Sequence, residues 1–429
     1  MRVSVRAVLA TAALVISTAG VAAAAPQEPP KPPATPPPEA GPDRAVPTAV
    51  AVPTRDVFDL LRQLRHKPPK VEKEWDYRKL MLAAAPVVGY NPASGVAFGV
   101  AGNAAFYKGY PETTSISSLV ASLVATTKAQ VLFNGKLEVS TPHNTWVFRG
   151  DNRLYWTSQD TYGLGTTTTP DDEINAKYDF FRFYETLYRE IRPNLFLGAG
   201  FLYNIHRDVR PDEEYAADWP TSPYVTYSEE FGYDPESQTS AGARVGAVWD
   251  SRDSAINPSR GLYATLDYQM FFEGFLGGTS SWQELDSELR TYVRLTPDAR
   301  HRLAFWLFAN LVTGGDPPYF DLPATSMDTY GRSGRGYVQG RFRGQRLAYG
   351  EVEYRVTLRK DGLLGAVAFL NTQTFSNAQT GEQLFDSFAT GGGVGLRLMM
   401  NKRSRTNLAL DVGYGRDGAN VYFAVQEAF

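Results

Sequence analysis

The dominant feature of this chain is an alternation of apolar and polar side chains that recurs in successive segments of about ten residues. In 261–270, Leu262 and Leu266 lie on one face of an extended segment, whereas Asp267 and Gln269 lie on the other. Successive side chains of a β-strand point to opposite faces of its sheet. The alternation therefore predicts strands with one face in an apolar environment and the other face in water.

Sixteen such segments follow one another along the chain. They span 80–89, 95–107, 115–126, 128–139, 145–156, 177–190, 194–206, 240–250, 260–273, 282–296, 300–312, 346–359, 363–375, 388–400, 405–415 and 420–429. The long connections all fall on the same side of the predicted sheet; they are 158–174, 206–239, 311–346 and 375–388. An even strand number with long loops at one end is typical of bacterial outer-membrane barrels.

These observations predict an all-β fold, a 16-stranded antiparallel transmembrane barrel over 80–429, in which the long loop after strand 11 folds into the lumen. A soluble β-sandwich is the alternative, because its strands also alternate. The long, tyrosine-rich strands and the alternating connection lengths favour the barrel.

Composition excludes several classes of function. The chain has 46 acidic and 43 basic residues, so no basic field attracts nucleic acid. It has no Cys and four scattered His, which predicts no metal site and no cofactor. No nucleophile-elbow or zinc-protease spacing is present, so no catalytic residue is assigned and no enzyme is predicted.

The first residues have the pattern of a secretory signal peptide over 1–25. Arg2 and Arg6 precede the apolar run 7–16, and the small residues 22–25 resemble a cleavage site. Export together with a barrel predicts the outer membrane of a Gram-negative bacterium.

Two short regions precede the predicted barrel. The region 26–53 contains 11 of the 28 prolines and is expected to be a disordered, extended tether. The region 54–79 is expected to be a short amphipathic helix and a linker, with Thr54 as the helix N-cap. The helix is interpreted either as an element at the barrel rim or membrane surface, or as a plug or partner-docking element.

Several motifs occur in a fixed order along the predicted barrel. They are PVVGYNP at 86–92, DSRDSAINPSRG at 250–261, GRGY at 334–337, GEVEYR at 350–355 and QEAF at 426–429. Together they resemble the BamA/TamA outer-membrane superfamily, also described as bacterial surface antigens, over about 78–429. The resemblance implies assistance in the insertion or translocation of proteins or lipids, through lateral opening between the first and last strands.

The resemblance also implies a role for the loop after strand 11. In the family this loop is tucked into the barrel and locks its conformation, so Arg335, Gly336 and Tyr337 are expected to form the lumen-loop tip. A guanidinium in the lumen can pair with inward carboxylates. The candidate carboxylates are Glu351, Glu353, Asp386 and Asp411. A mobile surface loop is the alternative.

The motif between strands 8 and 9 is expected to form a pinned turn at the periplasmic end. Pro258 and Gly261 suit a tight turn, and Asp250, Arg252 and Asp253 can stabilise it through charge-assisted hydrogen bonds. A purely scaffolding role is as compatible with this motif as a direct functional one.

The last predicted strand carries a candidate assembly signal. Phe423, Val425 and Phe429 fall on one face of this strand, and a terminal aromatic after alternating apolar residues is what outer-membrane barrels present for assembly.

Typical members of the resembled family carry POTRA domains ahead of the barrel, and 26–79 provides no room for one, so a POTRA-less member is expected. The expected partners are outer-membrane lipid and lipopolysaccharide, the machinery that assembles this barrel, and client outer-membrane proteins or lipids. The alternatives are a structural surface antigen and a passive pore. A pore would be lined by Arg244, Asp267, Glu351, Arg397 and Asp411.

Overall fold

In the computed structural model, which describes residues 54–68, 76–91 and 95–429, sixteen antiparallel strands form one nearly closed sheet in sequence order. The strands are β1 Met81–Asn91, β2 Gly95–Phe106, β3 Ser117–Thr126, β4 Val131–Ser140, β5 Trp146–Thr161, β6 Ile174–Arg192, β7 Leu195–Pro211, β8 Ser237–Asp250, β9 Gly261–Phe271, β10 Trp282–Arg294, β11 His301–Gly315, β12 Arg346–Thr357, β13 Leu364–Phe375, β14 Ala389–Asn401, β15 Thr406–Gly415 and β16 Gly418–Val425. The predicted 16-stranded antiparallel barrel is confirmed. The predicted signal peptide and tether, 1–53, lie outside the described residues, as does part of the predicted linker.

The barrel is the reverse of a water-soluble protein in its distribution of side chains. Large apolar residues such as Leu266, Leu307 and Leu370 are about half exposed on its outer surface. Charged residues such as Glu353 and Arg355 are buried inside it. This arrangement suits a wall with hydrocarbon outside and a polar interior.

The connections at the two ends of the barrel differ in size. One end carries the start of β1, the end of β16 and the turns that follow even-numbered strands; we name it the turn end. The opposite end carries four large loops, 162–173, 212–236, 316–345 and 376–388, and we name it the loop end. We name the segment 316–345 the lumen loop.

The structure departs from the sequence-based expectation in the lengths of several strands. β5, β6 and β7 extend beyond their predicted ends. Their polar residues near the loop end still pair with the neighbouring strands, so the sheet continues past its apolar outer surface. A short helix, α2 (Pro223–Glu230), lies in the loop 212–236, where sequence analysis predicted only an external loop. Its buried Tyr224 and Tyr227 pack against the lumen loop.

The predicted helix before the barrel is present as α1 (Val57–Leu64). Its N-cap is Asp56 instead of the predicted Thr54, because the Asp56 carboxylate accepts hydrogen bonds from the N–H groups of Phe58 and Asp59 at 3.1 Å each. The Asp59 side chain in turn accepts from Asp56 N–H, which completes a capping box.

Candidate functional site

The tip of the lumen loop carries one guanidinium among three carboxylates. Arg335 is 2% exposed and forms ion pairs with Glu351, with Glu353 at 2.5 Å and with Asp411 at 2.7 Å. Alternation on β12 and β15 points all three carboxylates into the barrel. The Arg335 guanidinium also lies over the ring of Phe369, 3.6 Å from its centroid. The structure thus brings Arg335 together with three of its four candidate partners.

The fourth candidate, Asp386, lies elsewhere. It is exposed in the loop between β13 and β14, and its carboxylate accepts a hydrogen bond from Gln383 N–H at 2.8 Å. The strand β14 begins only at Ala389, so Asp386 lies above the wall and cannot reach the interior. The sequence-based grouping of Asp386 with Arg335 is therefore wrong.

Two inward arginines complete the charge network, and sequence analysis did not assign them to it. Arg397 on β14 pairs with Asp411 and, at 2.7 Å, with Glu427. Arg355 on β12 donates to Glu353 at 2.7 Å. Both arginines lie on the polar faces that alternation identifies, but only the closed barrel brings these faces together. Sequence analysis did not identify Glu427 as a partner of Arg397, because it placed 420–429 within the last predicted strand.

The backbone of the loop tip bonds to the last strands. Gly336 N–H donates to the Tyr422 hydroxyl at 2.8 Å, and that hydroxyl donates to Tyr337 O at 2.9 Å. Asn420 donates to Gly336 O at 3.1 Å, and the Tyr337 hydroxyl donates to Thr390 O at 2.7 Å. Through these contacts and the ion pairs, one tip connects strands from β12 to β16.

Glycines in the wall make room for the loop tip. A Cβ added to Gly391 would lie 2.6 Å from Arg335 O, and one added to Gly413 would lie 2.8 Å from Gly336 N. Gly336 itself has φ +121°, which side chains other than glycine rarely adopt. The backbone of the tip therefore packs directly onto the backbone of β14 and β15.

Substitution of Gly413 by alanine is expected to displace the loop tip and to destabilise the barrel by about 1–3 kcal/mol, because the added methyl group meets backbone that has little room to move. The measurement is the shift of the unfolding midpoint in urea. Gly135→Ala is the matched control, since a Cβ there would meet only ordinary contacts at 3.4 Å or more. Equal midpoints for both variants would contradict the close packing.

The C-terminal segment, 426–429, turns into the barrel instead of extending β16. The strand ends at Val425, and Gln426 has φ +87°. The ring of Phe429 lies 5.1 Å from the ring of Trp306, and the main-chain oxygen of Phe429 accepts a hydrogen bond from Arg355 at 2.9 Å. The sequence-based placement of Phe429 on one face with Phe423 and Val425 is therefore wrong, because aromatic and cationic partners are found inside the barrel.

The lumen loop also bonds to this segment. Arg332 donates to Val425 O at 3.0 Å and to Glu427 O. Phe423 and Val425 stay in register with Leu410 and Leu408 of β15. The end of β16 is therefore bonded to the lumen loop on its inner side.

The boundary between β1 and β16, which we name the seam, differs from every other boundary in the sheet. Fifteen adjacent strand pairs have a hydrogen-bonded register, whereas the described parts of β1 and β16 have none. Ala83 and Ala85, on the inward face of β1, form a cluster with Met400. Leu408 and Phe423, on the outward faces of β15 and β16, pack against this cluster. Thus β1 overlaps the outer face of the last strands.

The motif between β8 and β9 forms a pinned turn at the turn end. The Arg252 guanidinium donates two parallel hydrogen bonds to the Asp250 carboxylate, at 2.9 and 2.7 Å. Asp253 accepts from Ser259 N–H at 2.7 Å and from the Ser259 hydroxyl at 2.6 Å. Partial burial would raise the pKa of Asp253, but these hydrogen bonds lower it below its ordinary value.

The remaining residues of this motif shape the backbone of the turn. Pro258 is buried, and Gly261 has φ +106°, where a Cβ would lie 2.3 Å from Ser251 O.

The loop end of the barrel is covered by aromatic side chains. Tyr224 and Tyr227 of α2 pack on Tyr319 and Phe320 of the lumen loop, and Tyr227 donates to Pro317 O at 3.0 Å. Below this cap a cavity of about 270 Å³ remains. Its charged lining includes Lys136, Arg149, Arg182, Arg244, Asp267, Glu284 and Asp286.

Two kinds of feature are absent from the residues that the structure describes. No cluster of three or more His, Asp or Glu side chains in this part of the chain is arranged to hold a metal ion. Among the described helices, none has both the length and the apolar character that a membrane span requires.

An inside-out barrel with a buried arginine at the tip of a lumen loop defines a class of transmembrane β-barrels. Residues 152–402 match the family model described as the Omp85 superfamily domain, so the chain belongs to this superfamily. The BamA/TamA resemblance is thereby confirmed. Members of the superfamily are barrel insertases or transporters and not enzymes, and its fold implies the outer membrane of a Gram-negative bacterium. No curated protein matches the sequence.

Solved structures resemble this fold at low sequence identity. CdiB from Escherichia coli is 12% identical with a TM-score of 0.52, over 83% of this chain and 64% of that one. CdiB from Acinetobacter baumannii is 10% identical with a TM-score of 0.51, over 81% of this chain and 59% of that one. BamA from Haemophilus ducreyi lacking POTRA domains 1–3 is 12% identical with a TM-score of 0.48, over 82% of this chain and 70% of that one. The chain therefore spans less than two thirds of either CdiB.

Proposed function

We propose that this chain assists the insertion or translocation of proteins or lipids at the outer membrane by opening laterally at the seam. The observation that carries this proposal is the absence of a hydrogen-bonded register between the described parts of β1 and β16. Within a membrane, unpaired strand edges have no water to bond and therefore favour pairing with another strand. A client strand can satisfy such edges by β-augmentation.

The lumen loop sets the position of β16 in this mechanism. Its tip bonds to Asn420 and Tyr422, and Arg332 bonds to the carbonyl of Val425. These contacts are on the inner side of β16, whereas β1 covers its outer side. Release of the loop would free β16 to move relative to β1, so the loop acts as the lock of the seam.

The wider setting follows from the same proposal. The turn end faces the periplasm, the loop end faces outward, and residues 1–25 are the signal peptide that exports the chain. Outer-membrane lipid and lipopolysaccharide surround the barrel, and the cellular barrel-assembly machinery inserts it. Phe423, Val425 and Phe429 contribute to the signal for that assembly. Membership in the Omp85 superfamily and the fold likeness to CdiB support this setting.

Covalent closure of the seam tests the proposal. The chain has no Cys, so Ala84→Cys on β1 and Val421→Cys on β16, both at exposed positions, provide two unique thiols for a bis-maleimide crosslinker. We expect the full chain in liposomes to accelerate the insertion of an unfolded eight-stranded barrel protein, and the joined seam to lose this acceleration.

The matched control joins two strands that already pair. Val100→Cys and Leu123→Cys lie opposite each other on β2 and β3, and both positions are exposed. This link should leave the insertion rate unchanged. Equal rates for the open and joined seams, or no acceleration by the unmodified chain, would contradict the proposed function and favour a structural surface antigen.

A passive pore is the second candidate, and the charged cavity below the aromatic cap favours it. Arg244 and Asp267 line that cavity, whereas Glu351, Arg397 and Asp411 are occupied in the ion-pair network. Under the proposed function, planar bilayers should record little steady conductance from the unmodified chain and more from Arg335→Ala. A large, ohmic conductance that Arg335→Ala leaves unchanged would favour the pore.

A further inference from the structure

Helix α1 contacts the barrel at the seam. Val57, the first residue of the helix, packs against the same buried cluster that joins β1 to the last strands, namely Ala83, Ala85 and Met400. A single side chain that precedes the barrel in sequence is therefore part of the apolar contact that closes the wall.

Polar contacts fasten the helix to two turns at the same end of the barrel. The buried Asp56 carboxylate accepts from Lys402 N–H at 3.4 Å, and Asp59 forms an ion pair with the Lys402 ammonium at 3.1 Å. Arg55 N–H donates to Asp361 O at 2.8 Å. The two turns follow β12 and β14, so the helix is bonded to the half of the barrel that ends in β16.

The rest of the helix has a different environment. Leu61 is 41% exposed and Leu64 is 65% exposed, whereas Val57 is only partly accessible. The apolar contact with the barrel is therefore concentrated at the N-terminal end of α1, and this end is also where the polar contacts are made.

We propose that α1 is an autoinhibitory seam clamp that must leave its place before β1 and β16 can separate. While Val57 occupies the cluster, separation of the strands exposes its side chain together with Ala83 and Ala85. The polar contacts of Asp56 and Asp59 keep that side chain in position. This inference deepens the proposed function, on which it rests for the meaning of an open seam, but the clamp can be tested by distance alone.

The test measures the separation of β1 and β16 in the full chain in liposomes. Spin labels at Ala84→Cys and Val421→Cys give a distance distribution by double electron–electron resonance, and the chain offers no other Cys. Val57→Asp places a charge in the apolar cluster and should raise the long-distance population about tenfold.

Leu64→Asp is the matched control, because it makes the same kind of change in the same helix at an exposed position. Its distance distribution should equal that of the labelled parent. Removal of 54–67 is a second variant that should reproduce the effect of Val57→Asp, and a heat-modifiable gel shift verifies that each variant is folded.

Two outcomes would overturn the clamp: unchanged distances in Val57→Asp and in the truncated chain, or equal changes in Val57→Asp and Leu64→Asp. Either outcome leaves the insertion assay of the proposed function intact. Conversely, Val57→Asp could widen the seam while the eight-stranded barrel protein of the insertion assay is not inserted. That result would support the clamp and contradict the proposed function.

Discussion

Replacement of Arg335 by alanine is expected to lower the free energy of unfolding by about 3–5 kcal/mol, because it leaves buried carboxylates without their cation. Glu351 and Glu353 lie side by side on the inward face of β12, and Asp411 faces them from β15. Arg397 still pairs with Asp411 and Arg355 still pairs with Glu353, so Glu351 carries most of the cost. The measurement is the urea midpoint from tryptophan fluorescence, for which the chain offers 7 Trp.

Two further variants separate the buried network from a general loss of charge. Arg210→Ala removes an ion pair with Asp208 whose side chains are 54% and 69% exposed, and should cost less than about 1 kcal/mol. Adding Glu351→Gln to Arg335→Ala should restore part of the stability, since no uncompensated charge then remains at position 351. If Arg335→Ala and Arg210→Ala unfold at the same midpoint, Arg335 is not a structural lock.

Replacement of Phe429 by alanine is expected to destabilise the folded barrel by about 3–5 kcal/mol, the cost typical of removing a buried aromatic side chain. The ring is 5% exposed and lies against Trp306, with the Arg355 guanidinium 5.1 Å from its centroid. Loss of the ring should also weaken the anchoring of the C-terminal segment, and with it the inward position of the end of β16.

Phe388→Ala is the matched control, because its ring is 54% exposed near the loop end, and its effect should stay within about 0.5 kcal/mol. The comparison uses protein that is already folded and purified, so that stability is measured apart from assembly in the cell. If Phe429→Ala lowers only the amount of barrel assembled and leaves the unfolding midpoint unchanged, Phe429 acts as an assembly signal and not as an anchor.

The number of strands and their faces were predictable because they depend on local geometry. Successive side chains of a strand point in opposite directions. The polar residues Asp267 and Gln269 and the apolar Leu266 therefore identify the inner and outer faces of the wall, even when the neighbouring strands are unknown. The faces of Glu351, Glu353 and Asp411 follow by the same argument. The resemblance placed Arg335 at a loop tip, and the barrel brings this tip to the polar faces.

Other features depend on contacts between residues far apart in sequence. Asp386 has the same charge as Asp411, but its distance from the end of β13 keeps it outside the wall. Phe429 continues an alternating pattern, yet its partner Trp306 on β11 draws it inside. Pattern alone does not distinguish an outward phenylalanine from one that turns inward.

The sequence by itself determined that this chain forms an even-numbered barrel with an apolar outer face and a charged interior, because both follow from side-chain periodicity. The arginine at the loop tip was an expectation that the family resemblance added. Only the tertiary structure decided that the wall closes by overlap instead of by pairing, and that α1 sits at this overlap. Closure joins the two ends of the sheet, and its geometry is set by the curvature of all sixteen strands together.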